Sequence, residues 1–234
     1  VQLSVNAIDS NTVMVIWPET AMSAADWQDN IKVNPYYQPI FQFVAAHPSI
    51  QLISGIETFK QYGNIAATKT ARKTNDGIYY DAFNAAVRLQ SNQEPVYYNK
   101  SKLVPGVESL PSFLRFMAPV FEQFGGSTGG YGVSDTAVVF RDPITQMNAA
   151  PIICYESIYG EYVTNYVKSG ATMLAIMTND GWWGNTPGHQ QHLYYAKLRA
   201  IETRRWIARS ANTGISAFIN PRGEIEQSLA WDKR

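Results

Sequence analysis

The stretch "AAPIICYESIYGEYVTNYVKSGATMLAIMT", residues 149–178, decides how this chain is read. "AAPIIC" is an apolar run of strand type, "SIYGEYVTNYVKSG" carries helical spacing, and "ATMLAIMT" is a second apolar run. The alternation continues with "GHQQHLYYAKLRAIETRRWIARS" as a helix and "GISAFI" as a strand, preceded by "TAVVF" at 136–140 as another strand. Helices alternating with apolar strands predict a layered α/β domain. The same stretch holds the only cysteine of the chain, Cys154, where a strand meets a helix, with Glu156 two residues on.

Upstream, "NTVMVIWPET" places a β-branched strand at 12–16 that stops at Trp17-Pro18, leaving Glu19 just past its end. A mostly helical stretch is expected from there to Ala46, interrupted near Pro35 and Pro39, with strand character returning at 50–54. Between 64 and 90, "TNDG" separates two strand-like runs and signals a hairpin, so the sheet is mixed rather than purely parallel. A short strand at 95–99 leads into a loop with Lys100, Lys102 and Pro105. Residues 109–132 join an aromatic amphipathic piece to "GGSTGGYG", which reads as a lid. Those glycines lack the Gly-Lys-Ser/Thr closure of a phosphate loop. No repeat or polar linker divides the chain, and 1–234 reads as one domain.

Lys plus Arg equals Asp plus Glu at 19 each, which argues against a nucleic-acid partner. No run approaches the roughly 18–20 apolar residues of a membrane span. One cysteine forms neither an internal disulfide nor a thiolate cluster, and the residues call for no metal and no cofactor. Aromatic residues make up 13% of the chain against 16% charged, which leaves room for aromatic-lined clefts or a lipid-facing surface.

A lone buried cysteine is commonly inert, but a thiol at a strand-to-helix junction lies near free backbone N–H groups that favour thiolate. Glu156 either orients an incoming amine or caps the helix with Ser157. A thiol needs a base. His189 and His192, one turn apart at a helix start, are candidates, as a base, a two-ligand metal fragment or plain surface polarity. Glu19, on rigid backbone after "WP" and partly desolvated by Trp17, ranks above them. Lys100 and Lys102, two apart, fall on one side of an extended chain, so spacing does not choose which could support a developing oxyanion; the aromatic pair of "PVYYNK" argues for less watery surroundings at Lys100, against the ordinary reading of solvated loop charges. The "TNDGWWGNTPG" loop follows an apolar strand, where ligand-facing loops gather, and Trp182-Trp183 read as binding residues. Arg199, Glu202, Arg205 and Arg209 repeat at helical spacing and read as a salt-bridged polar face.

Three separated elements, "WPE", "YYNKSKLVPGVE" and "ICYE", together resemble the Glu-Lys-Cys arrangement of the nitrilase superfamily. Within it the chain is most similar to the apolipoprotein N-acyltransferases of the bacterial inner membrane, with the long run from Thr178 to Ile219 characteristic of that branch. The resemblance implies a four-layer α-β-β-α sandwich. It implies Glu19 as general base, Lys100 as oxyanion support and Cys154 as nucleophile, with Glu108 and Glu156 as further essential carboxylates. "LVPGVE" keeps the eight-residue step from Lys100 to Glu108 but moves the branch's glycine, which leaves the backbone path into Glu108 open. The implied reaction moves an acyl chain from the sn-1 position of a phospholipid, through a Cys154 thioester, to the N-terminal amine of a diacylglyceryl-cysteine apolipoprotein. Trp17, Tyr155, Trp182, Trp183, Phe113 and Phe116 are the expected substrate contacts. The chain is expected to be a periplasm-facing catalytic domain, cut at both ends, of a protein that reaches the membrane through helices outside it. A soluble nitrilase-type amidase, in which water attacks the thioester, is the rival enzyme, though "CYE" followed by "SIYGEY" departs from the "CxD" pattern common there. A binding module resting on the aromatic residues alone is the rival outside enzymes.

Overall fold

Two mixed sheets form from these runs, and alternate side chains along each strand set which face is buried against what. The structure is a computed structural model describing residues 1–106, 108–109, 130–184 and 186–231. The first sheet contains β1 (Met14–Ile16), β2 (Met22–Trp27), β3 (Gln51–Gly63), β4 (Arg72–Lys73), β5 (Tyr79–Leu89) and β6 (Val96–Asn99). Both β1 and β2 run parallel to β3, while β5 is antiparallel to β3, β4 and β6. The second sheet is β7 (Ala149–Ile153), β8 (Met173–Thr178), β9 (Trp206–Ala211), β10 (Ala217–Ile219) and β11 (Ile225–Ser228), parallel from β7 to β9 and antiparallel from β9 to β11. Among the described residues the α-helices are α1 (Gln2–Ala7), α2 (Gln38–Ala46), α3 (Gly160–Lys168) and α4 (Pro187–Thr203).

Leu52, Ile56, Ala85, Val87 and Leu89 turn to one side of the first sheet and pack on Ile40, Phe43 and Val44 of α2. Ile53, Ala86 and Tyr98 turn to the other side and meet the second sheet. The far face of the second sheet is covered by Tyr162, Val163 and Tyr166 of α3 and by Leu193, Ala196 and Ala200 of α4. The order is therefore helix, sheet, sheet, helix, the α-β-β-α sandwich expected from the sequence. β7 is buried throughout yet contains Pro151, which its position at the end of the strand order tolerates because one ladder is missing there.

Several expectations needed tertiary correction. The stretch after Glu19 is not mostly helical: Met22–Trp27 pairs with β3, a 3₁₀ turn spans Pro35–Tyr37, and only Gln38–Ala46 is α-helix. The expected helix through Ser210 stops at Thr203, where Arg204 adopts a left-handed φ of 54°, and "WIARSA" becomes the central strand β9. Of "TAVVF", only Phe140 pairs, as an isolated bridge to Ala149. The "TNDG" hairpin forms, with Gly77 N–H donating to the Thr74 carbonyl at 3.0 Å.

The register gathers chemistry at one rim. β6 is antiparallel to β5, which is antiparallel to β3, so β1 and β6 run the same way and deliver Glu19 and Lys100 past matching ends. The turn after β1 lies directly on Gly55 of β3, whose N–H donates to the Pro18 carbonyl at 3.1 Å. A Cβ at position 55 would fall 2.5 Å from the Glu19 Cα, 2.6 Å from the Thr20 nitrogen and 2.7 Å from the Pro18 oxygen, all backbone atoms that cannot step aside. Gly55→Ala is therefore expected to lower the unfolding free energy by about 1–3 kcal/mol through overpacking and to displace Glu19. Urea unfolding checks the first effect, and a variant as stable as the parent would show that the turn is not seated on Gly55.

Candidate active site

Lys100 extends β6 by one residue, its N–H donating to the Asn84 carbonyl at 2.9 Å. That pairing sends its side chain inward, where it is 1% exposed. Its ammonium donates to Glu108 Oε1 at 2.8 Å and Glu19 Oε1 at 3.1 Å. Asn84 Nδ2 bridges the same two carboxylates, at 2.8 Å from Glu19 and 2.7 Å from Glu108. The remaining oxygens are also held, Glu19 Oε2 by the Asn179 N–H at 3.1 Å and Glu108 Oε2 by the Val104 N–H at 2.8 Å. Burial opposes the charge on Lys100, but the Glu19 and Glu108 carboxylates outweigh it and hold the ammonium above its ordinary range.

The moved glycine in "LVPGVE" has a structural role. Gly106 takes a φ of 83°, in the left-handed region, and its N–H donates to the Ser109 carbonyl at 2.8 Å. The Glu108 N–H returns to the Val104 carbonyl at 2.9 Å, which turns the carboxylate onto Lys100.

Cys154 follows β7 and opens a 3₁₀ turn, Cys154–Ile158. Burial pushes its thiol up to about 12; the Glu19 charge adds to this, while Lys100 and a hydrogen bond with Thr178 pull the other way. The resting group is a thiol at neutral pH. The Tyr155 N–H, second in the turn, meets no acceptor among the described residues. Glu156 is fully buried and lies behind Cys154, with Oε2 accepting from the Ile153 N–H at 2.9 Å and Oε1 from the Ser101 N–H at 2.6 Å and the Tyr98 hydroxyl. Burial raises its proton affinity, while these donors and Lys100 favour the carboxylate. It ties the cysteine turn to the lysine loop.

Glu19, Lys100, Glu108 and Cys154 line one cavity of about 570 Å³ with Asn84, Tyr131, Tyr155, Ile158, Trp182, Trp183 and Tyr195. Trp182 and Trp183 are exposed, with Trp183 packed against Gly188 at the start of α4. Trp17 is not among the cavity residues; it packs with the α2 side of the first sheet and its indole donates to Ser4 Oγ at 2.9 Å. Phe113 and Phe116 lie outside the described residues, as does most of the 109–132 lid.

His189 and His192 are buried, not surface residues, at 4% and 5% exposed. His192 Nδ1 lies 2.8 Å from Asp180 Oδ1, so the charged partner that spacing along α4 did not supply comes from the loop after β8. The polar-face reading of the arginines also changes. Arg199 pairs with Glu202 but is itself buried and donates to the Ile158 carbonyl at 2.9 Å, and Arg209 sits on β9 with its guanidinium 2.6 Å from Asp180 Oδ2. Asn84, Asp180 and Arg209 carried no local signal, because their partners are distant in sequence.

The "Carbon-nitrogen hydrolase" family profile matches residues 1–234. Among curated proteins, the chain is similar to the apolipoprotein N-acyltransferase of Brucella suis, 38% identical over 226 residues, covering 94% of this chain and 38% of the relative. It is also similar to that of Chlorobaculum tepidum, 32% identical over 224 residues, covering 93% and 41% respectively. The chain thus spans about two fifths of the length of these relatives. Among solved structures, a CN-hydrolase superfamily protein of Xanthomonas campestris aligns over 100% of this chain and 79% of its own, with a TM-score of 0.66 at 15% identity, a likeness of fold. On this match and this sandwich, the chain belongs to the carbon-nitrogen hydrolase family, as an enzymatic nitrilase-superfamily domain related to the apolipoprotein N-acyltransferases.

Proposed function

We propose that this chain is the catalytic domain of an N-acyltransferase that passes an acyl chain from a phospholipid, through a thioester on Cys154, to the N-terminal amine of a diacylated apolipoprotein. The observation that carries the reading is the buried ammonium of Lys100 held between Glu19 and Glu108 on the wall of the cavity that Cys154 lines. In the first half-reaction the Glu19 carboxylate accepts the thiol proton as sulfur attacks the sn-1 ester carbonyl. The oxyanion is met by Lys100 and the Tyr155 N–H. Collapse breaks the ester C–O bond, and the proton on Glu19 passes to the departing lysophospholipid oxygen. In the second, the amine attacks the thioester, Glu19 accepts its proton, and collapse forms the amide and returns that proton to the sulfur.

Glu108 keeps Lys100 charged, and Glu156 holds the nucleophile turn against the lysine loop. Tyr155, Trp182 and Trp183 supply apolar surface for an acyl chain and limit water, which would otherwise hydrolyse the thioester. No helix among the described residues is long and apolar enough to cross a membrane. We assign the domain to the periplasmic face of the bacterial inner membrane, within a longer protein, on the likeness to its relatives.

Intact-mass spectrometry after incubation with phospholipid is expected to show one acyl adduct, absent in Cys154→Ala and discharged by a diacylated peptide with a free N-terminal cysteine amine. Discharge by water at the same rate as by the peptide would favour an amidase-like hydrolase. No adduct in active protein would end the thioester mechanism.

Glu19→Gln separates base from scaffold. Loss of the general base is expected to slow adduct formation by about 10²–10⁴-fold. The same change removes a negative charge that raises the thiol, while Lys100 stays, so Cys154 should ionise at lower pH than in the parent. The pH dependence of iodoacetamide labelling reads this out, with the parent labelling rate still climbing at pH values near 10. A variant curve shifted upward would contradict the assignment.

A further inference from the structure

Cys154 has a φ of 49°, a left-handed conformation that a side chain with a Cβ resists. Something must hold it there. One peptide upstream, the Ile153 N–H donates to Glu156. Downstream, the Cys154 carbonyl accepts from Ser157 Oγ at 2.8 Å and lies 3.1 Å from His192 Nε2. His192 Nε2 is also 2.9 Å from Ser157 Oγ, so the ring touches both the carbonyl and its other donor.

The ring is fixed from behind. Asp180 Oδ1 accepts from His192 Nδ1 at 2.8 Å and from Thr178 Oγ1 at 2.9 Å, while Asp180 Oδ2 accepts from Arg209 Nη2 at 2.6 Å. Asp180 is fully buried; burial works against its charge, but His192 and Arg209 outweigh it and hold the carboxyl down to about 2. A carboxylate only accepts, so Nδ1 carries the hydrogen it shares with Asp180, and a bond from Nε2 to the Cys154 carbonyl, which also only accepts, requires a hydrogen on Nε2 as well. In that doubly protonated form neither ring nitrogen has a lone pair for the thiol proton. Its place in the chemistry is through the backbone.

We propose that His192, anchored by Asp180, is a positioning residue for the nucleophile: it fixes the Cys154–Tyr155 peptide, so that the Tyr155 N–H is aimed at the acyl oxygen. The peptide is planar and trans, so its C=O and N–H point in opposite directions. Clamping the carbonyl toward Ser157 and His192 turns the Tyr155 N–H away from them, and that N–H has no other acceptor among the described residues. This inference rests on Cys154 being the nucleophile but not on the acyl donor being a lipid.

The test uses an activated ester, p-nitrophenyl butyrate, whose nitrophenolate burst reports acylation of Cys154 without any lipid. His192→Leu and, separately, Ser157→Ala should each slow the burst by about 10- to 100-fold, less than the about 10²–10³-fold cost of deleting an oxyanion donor, because the Tyr155 N–H is misaimed and not removed. KM for the ester should stay within about twofold, and iodoacetamide labelling of Cys154, which forms no oxyanion, should change by less than about threefold, because these effects of oxyanion donors fall on the acylation step. His192→Gln, which keeps an N–H donor on a side chain of similar reach, should recover part of the burst. A merely structural role would depress burst and labelling together, and that result, or a burst unchanged in both His192→Leu and Ser157→Ala, overturns the proposal. A parent protein that shows the burst but no adduct from phospholipid would refute the lipid reading while leaving this inference to be judged by the variants. A parent with neither would refute both.

Discussion

The rest of the site depends on one buried ammonium. Lys100 lies in a dry interior, where an unpaired charge costs several kcal/mol, and it is kept there by two carboxylates and a bridging amide. The arrangement is demanding in both directions. Without Lys100, Glu19 and Glu108 would face each other across Asn84 as like charges; without either carboxylate, the ammonium would be under-compensated. Each of the three is delivered by a different piece of backbone: the turn on Gly55, the end of β6, and the left-handed step at Gly106. Charge pairing therefore constrains the sheet register as firmly as the apolar core does.

Cys154 is arranged on the opposite principle. Its surroundings favour the neutral thiol, since burial and the Glu19 charge outweigh the help from Lys100 and Thr178. A thiol kept protonated until a base and an electrophile are both in place has little opportunity for stray oxidation or alkylation. What is fixed in advance is direction, not charge. Glu156 on one side and Ser157 with His192 on the other hold a strained backbone at Cys154, and the Asp180–Arg209 pair locks the imidazole.

Local pattern made the apolar strands β1, β3, β7, β8 and β10 and the helix after Thr186 legible, because burial on one or both faces writes itself as periodicity or as an apolar run. It failed at Met22–Trp27 and Trp206–Ala211, two strands whose conformation comes from ladders to β3 and to β8 and β10 rather than from their own composition. Sequence also named Glu19, Lys100, Glu108, Cys154 and Glu156 through a resemblance in three short motifs. The spacing of the histidines on α4 leaves three readings open, base, metal fragment or surface polarity, and only the surface one fails by burial, since nothing nearby announces that Asp180 and Arg209 will close over His192.

By itself, then, the sequence determined the layered α/β class and brought forward the candidate groups Glu19, Lys100 and Cys154, because apolar periodicity and short motifs are local properties. Tertiary structure alone decided that Glu19 and Lys100, 81 positions apart, share one proton network, and that Asn84, 65 positions from Glu19, bridges it to Glu108. It decided, too, that Asn179 reaches Glu19 across 160 positions and that His192 lies buried against the Cys154 carbonyl rather than on the surface. Hydrogen bonds of a few ångströms between residues that far apart leave no trace in local spacing. Strand pairing within the first sheet brings Glu19, Asn84 and Lys100 together, and the packing of the second sheet on it brings Asn179 to Glu19.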